Sequence, residues 1–283
     1  MNAVRKSLCF ACGAFAALAW VSAQGAARAP VPIPEFAPDG STSWVPEADD
    51  FFPPESGPGP VTFDPARPYV PNFTPGKQPT YRVADIANPI LKPWAVEQMK
   101  KSNERVLAGG VPFRARERCY PAGVPALLAY SLVEPFYFVQ TPRKVTIIDR
   151  GNAEVRRVYM NVPHSRNVKP SWYGESVGQY ENGDTLVVDT IGLSEKSFVD
   201  NYRTPHTNQL HVVERYKLID DGQRLEVSIT VEDPGAFNMP WSAVQRFKRR
   251  QQDPLVEQIC AENPTDFFNY DLVPIPQAEE PDF

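Results

Sequence analysis

Between residues 136 and 249, apolar and polar positions alternate in short runs separated by turn-forming residues. Successive side chains of a strand point to opposite faces, so this alternation marks half-buried strands. Runs 136–140 and 144–149 flank Thr141-Pro142-Arg143, and runs 145–149 and 155–160 flank Arg150-Gly151-Asn152. Runs 177–181 and 185–190 flank Asn182-Gly183, the strongest two-residue hairpin signal. Runs 210–219 and 225–232 flank Asp220-Asp221-Gly222-Gln223, and 241–249 forms the last strand. The pattern predicts a mainly β fold, an antiparallel meander. It closes as a calycin- or lipocalin-like barrel in preference to a two-layer sandwich.

The same periodicity assigns faces. Leu225, Val227, Ile229 and Val231 share the core side of their strand. In its hairpin partner Leu210, Val212, Tyr216 and Leu218 face the core with Glu214 among them, while His211, Val213, Arg215 and Lys217 take the other side. An inward carboxylate must be hydrogen-bonded, paired or protonated, because an isolated buried charge costs several kcal/mol. Glu214 therefore reads either as a general acid or base lining a cavity, or as the partner of an interior Arg, Tyr or Trp that fixes the fold.

Outside this region the pattern changes. Residues 93–107 read as a helix, with proline in the first turn and Gly109-Gly110 beyond the end, and a helical turn is expected at 254–262. Fourteen of the 31 prolines lie between Pro30 and Pro79. That density is expected to exclude helix and central strand, leaving residues 24–80 as an extended arm. Its aromatics, Phe36, Trp44, Phe51, Phe52, Phe63, Tyr69 and Phe73, imply that the arm packs onto the β-rich domain of residues 81–283, which ends in a C-terminal extension.

Residues 1–23 read as a secretory signal: Arg5 and Lys6, an apolar run from Leu8 to Val21, then Val21-Ser22-Ala23. The expected location is periplasmic or secreted, with no membrane span after cleavage. Cys119 and Cys260 would then be the remaining cysteines, and in an oxidising compartment they are expected to pair. Loss of Arg5 and Lys6 leaves 27 basic against 34 acidic residues, a balance that argues against nucleic acid as a partner.

All three histidines lie between residues 164 and 211. Imidazole is the side chain best suited to moving protons near neutral pH, so acid–base chemistry is sought here. The catalytic candidates are Glu214 and His206 as a pair, supported by His211, His164 and Asp189. Trp172, Tyr216, Trp241 and Tyr159 are the substrate-binding candidates. Gly174-Glu175-Ser176-Val177-Gly178 spells a nucleophile elbow, but strands rather than a helix follow it. His206, His211 and Glu214 do not form a metal site on one strand, since positions 211 and 214 face opposite ways. No cofactor motif is present, and no metal ligand is assigned. The leading expectation is a cofactor-independent lyase or isomerase acting on a small hydrophobic molecule. The alternatives are a non-catalytic periplasmic carrier, a metal-dependent hydrolase, and an envelope-assembly protein with a filled core.

The stretch from about Cys119 to Cys260 resembles a large family of exported bacterial proteins without an established activity. The phrases that carry this are RCYPAGVP, FVQTPRKVTII, WYGESVGQYENGDTLVVDT, PHTNQLHVVERY, VEDPGAFNMPW and ICAEN. The resemblance implies export, a shared β-rich core and recurrence of the His, Trp and Glu positions. Gln179-Tyr180-Glu181 stands where similar proteins tend to have tryptophan before the acid.

Overall fold

A computed structural model describes residues 33–71, 74–115, 118–129, 134–152 and 154–257. The expected signal segment, Phe73 and Cys260 lie outside these residues. Nine strands close a barrel in chain order: β1 (Ser43–Pro46), β2 (Phe136–Thr141), β3 (Lys144–Asp149), β4 (Glu154–Met160), β5 (Glu175–Glu181), β6 (Thr185–Ile191), β7 (His211–Ile219), β8 (Arg224–Glu232) and β9 (Trp241–Arg250). Closure gives every strand a neighbour on each side, although β4 and β5 meet over three residues and β1 and β2 over two. Among the described residues one α-helix, α1 (Pro93–Leu107), has the bounds that the sequence predicts. Residues 254–257 are not helical, and the rest of the helical turn expected there lies outside the described residues. Among the described residues no helix is long and apolar enough to cross a membrane.

The faces follow the alternation. Leu225, Val227, Ile229 and Val231 are buried on β8, and Val212, Glu214 and Tyr216 on β7. Burying such aliphatic side chains stabilises by about 1.5–3 kcal/mol each. Trp44, Trp241, Tyr216 and Phe247 are among the largest fully buried side chains.

Two expectations are corrected. The meander is not wholly antiparallel, because β4 and β5 pair in parallel, with Val158 opposite Ser176 and Met160 opposite Gly178. A parallel pair needs a crossover rather than a tight turn. Residues 161–174 supply it, and they carry His164, Trp172 and Tyr173. The arm, for its part, does contribute a strand. β1 pairs with β9 along all four of its residues and with β2 through Ser43 and Trp44. Pro46 is tolerated because it stands at the strand's end.

Part of the arm packs as its aromatics imply, whereas Phe63 is exposed. Phe36, Trp44 and Phe51 are buried, and the Trp44 indole N–H donates to the Phe36 carbonyl at 2.9 Å. Asn103 on α1 clamps the segment at Ala84 by accepting from its amide at 2.8 Å and donating to its carbonyl at 2.9 Å.

Candidate active site

Glu214 does point inward, and it is spoken for. On β4 the residues Arg156, Val158 and Met160 are buried while Arg157 and Tyr159 are exposed, so parity puts a guanidinium inside the barrel. Arg156 donates from Nη1 to Glu214 Oε1 at 2.9 Å and from Nη2 to Glu214 Oε2. Its other bonds run to Tyr216 Oη at 3.3 Å, Thr190 Oγ1 at 2.9 Å and Ser176 Oγ at 3.2 Å. All five guanidinium donors are thereby used. Tyr216 donates its hydroxyl to Glu214 at 3.1 Å. Ser176 of the G-x-S-x-G stretch belongs to this buried network as a strand residue, bonded also to Thr190 at 2.9 Å.

The outer wall of the same sheet carries a different arrangement. Glu175 on β5, Asp189 on β6, His211 on β7 and Glu232 on β8 stand on successive neighbouring strands, and His164 reaches them from the crossover. His164 Nδ1 lies 3.0 Å from Glu175 Oε1, and its Nε2 lies 2.9 Å from Asp189 Oδ1. His211 Nε2 meets the same Asp189 oxygen at 3.1 Å, and its Nδ1 is 3.6 Å from Glu232. Carboxylates and imidazoles thus alternate over five residues. A neutral imidazole has one N–H, so His164 can donate to both flanking carboxylates only as the imidazolium. Glu175 also accepts from the hydroxyl and amide of Ser165 at 2.5 and 2.6 Å. These bonds, with a smaller contribution from His164, hold its carboxyl below the ordinary range.

Gly174 sets the start of β5. Its φ is +59°, and a Cβ there would stand 2.3 Å from the Ile191 carbonyl oxygen. Only glycine fits so close a backbone approach in that left-handed conformation. The consequence is that Glu175 follows directly at the edge of a cleft.

That cleft, about 490 Å³, is lined by Trp172, Tyr173 and Tyr159, by Arg157 and Lys169, and by Glu175. The Tyr173 hydroxyl is buried and has no hydrogen-bond partner among the described residues. Arg157 and Lys169 have no ion-pair partner among those residues.

His206 sits elsewhere. In the 192–210 connection it is 1% exposed, with Nε2 2.9 Å from Ser197 Oγ and Nδ1 2.9 Å from the Thr207 carbonyl. Burial lowers its pKa. Its hydrogen bonds and those of Glu214 share no partner, so the structure does not join these two residues. Nor do Glu214, Tyr216 or Trp241 line the cleft at Glu175.

Of the residues singled out from sequence, His164, Asp189 and His211 come together, with Trp172 and Tyr159 in the adjoining cleft. Sequence reasoning missed Arg156, Glu175, Tyr173 and Glu232. The parity of Val158 and Met160 was a signal for Arg156; nothing local marked Glu175. Among the described residues no group of three or more His, Cys, Asp or Glu is placed to hold a metal ion. Cys260, the expected partner of Cys119, lies outside the described residues. No protein-family model matches the chain, and no curated protein matches it.

Proposed function

We propose that the protein is an exported, cofactor-independent acid–base enzyme, a lyase or isomerase, that acts on a small molecule with an apolar, ring-bearing body at the cleft beside Glu175. One observation carries this reading: the alternating chain Glu175, His164, Asp189, His211, Glu232 has its Glu175 end in the wall of an aromatic-lined cleft. General acid–base catalysis needs a titratable group within hydrogen-bond reach of the substrate and a route for the proton. Glu175 is the group that meets the substrate. A ring stacked over Trp172 displaces water from the carboxylate, and desolvation makes it a better base.

In the proposed step Glu175 takes a proton from a substrate carbon. Lys169, in the wall of the same cleft, faces the oxygen on which charge develops. Glu175 then returns that proton to a neighbouring carbon in an isomerisation, or to the departing oxygen in an elimination, and His164 at 3.0 Å orients its carboxyl. The scaffold is read as calycin-like, with its ligand on the outer wall rather than within the barrel. Export rests on the character of residues 1–23, and pairing of Cys119 with Cys260 is part of the same proposal.

The test is carbon–hydrogen exchange. The full chain is incubated in D2O with a panel of aromatic 2-oxo, 2-hydroxy and unsaturated acids, and loss of C–H signals is followed by proton NMR. The expected result is exchange on at least one member, reduced at least 100-fold by Glu175→Gln and by His164→Asn. Absence of exchange on every compound that binds at the cleft would overturn the enzyme reading and leave a carrier.

A further inference from the structure

We infer a second, independent chemical site, in which Ser197 and His206 form a nucleophile–base pair that cleaves esters with an apolar acyl group. Three observations on the 192–210 connection carry it.

The first is a settled tautomer. His206 Nδ1 faces the Thr207 carbonyl oxygen at 2.9 Å, which can only accept, so Nδ1 carries the hydrogen. In the neutral ring Nε2 is then a lone pair 2.9 Å from the Ser197 hydroxyl, whose hydrogen has the Ser194 carbonyl at 3.0 Å as its other acceptor, so Ser197 can donate to His206. That is the hydrogen bond a serine nucleophile needs from its base. Thr207 is fixed in turn, since its amide and hydroxyl donate to Asp233 at 2.5 and 2.8 Å. A backbone carbonyl thus orients the imidazole where a carboxylate often does so. Burial, which keeps the ring neutral, works in the same direction.

The second is an unused amide. Phe198 follows Ser197 directly, and its N–H has no acceptor among the described residues. The amide after the nucleophile is a natural donor to the oxyanion of a tetrahedral intermediate.

The third is the space beside them. A cleft of about 480 Å³ is lined by Trp94, Phe113, Phe198, Pro112, Pro205 and His206. Its wall is mostly apolar, which suits an acyl chain. Ser197 is itself 1% exposed and does not line this cleft, whereas His206 and Phe198 do, so the proposed step needs the ester to enter between those two. Gly123 makes room for the serine: a Cβ at that glycine, where φ is +80°, would lie 2.6 Å from Ser197 Cβ.

The chemistry balances without a co-reactant other than water. Ser197 Oγ bonds to the acyl carbon while its proton passes to His206 Nε2. The ester C–O bond breaks, and the alcohol leaves with that proton. Water then attacks the acyl-serine, giving a proton to Nε2, and Ser197 departs and recovers it, releasing the acid.

The test uses the full chain with an alkyl fluorophosphonate, read by intact mass and peptide mapping, and p-nitrophenyl butyrate as substrate. The expected result is one adduct, on Ser197, and hydrolysis that falls at least 100-fold in Ser197→Ala and in His206→Gln. No adduct, an adduct on another residue, or hydrolysis retained in a folded Ser197→Ala overturns the inference. Mapping on the unaltered protein decides the matter even if a variant does not fold. The carbon–hydrogen exchange at Glu175 is expected to survive Ser197→Ala unchanged, so the two sites stand or fall separately.

Discussion

Arg156 and Glu214 meet through two hydrogen bonds inside the barrel although 58 residues separate them in the chain. Neither has appreciable solvent contact. Breaking such a pair strands one charge in an apolar interior, whereas replacing both partners removes the charges together. Glu214→Gln is therefore expected to lower unfolding stability by about 3–5 kcal/mol. Arg156→Met combined with Glu214→Leu is expected to recover a substantial part of the loss. Urea unfolding of the two variants checks this, and a double variant no better than the single one would show that the ion pair is not the reason.

The shared carboxylate of Asp189 should make the two outer histidines sense one another. Replacing Asp189 by Asn is expected to move the ring Cε1–H resonances of both His164 and His211 and to leave His206 in place. With three histidines in the chain the spectrum is readily assigned. If only one outer resonance moves, the chain of five groups is not continuous.

Asp200 gives a stability prediction with a definite sign. Burial pushes its carboxyl up to about 6 from 3.8, against bonds from Thr204 and the Tyr202 amide that favour the charge. Between those values the folded protein binds more protons than the unfolded chain, so this group's contribution grows as pH falls from 6 to about 4 and is lost as pH rises through 6. The shift corresponds to about 3 kcal/mol. Wild-type stability measured against Asp200→Asn should thus improve by up to that amount from pH 7 to pH 4. His206, with its lowered pKa, acts oppositely below about pH 6.5, but it is common to both proteins and cancels. A pH-independent difference would refute the assignment.

Gly174→Ala is expected to destabilise by about 1–3 kcal/mol, because the new Cβ must push away the Ile191 carbonyl at a positive φ. The displaced β5 end carries Glu175, so exchange activity at the cleft should fall more than stability alone explains. Activity at a temperature where the variant remains folded separates the two effects.

The alternation along residues 136–249 was sufficient to place eight strands, and it correctly aimed Glu214 inward, because period-two burial is a local property of each run. It could not show that Arg156 waits opposite, since register between strands distant in sequence is set by the closed sheet. The parallel β4–β5 pair was hidden for a related reason: residues 161–174 contain turn residues, and only the direction of the returning strand tells a crossover from a hairpin. β1 escaped notice because proline density was read as a property of the whole arm, while four residues ending at Pro46 suffice to pair. The rarity of the histidines singled these positions out, but their partition between a half-buried chain on the outer wall and a buried serine contact depends on tertiary packing.

The pairing of β1 with β9 fixes when the molecule can be finished. The strand from the arm matches Ser43 with Arg250, about 200 residues downstream, and contacts of such sequence separation are slow to form. While the chain is being made, the first strand emerges long before its principal neighbour exists, and the wall stays open on that side until residue 250 has been added. Closure of the barrel therefore waits for β9, and truncations short of it should accumulate as unclosed, aggregation-prone sheets rather than as smaller barrels.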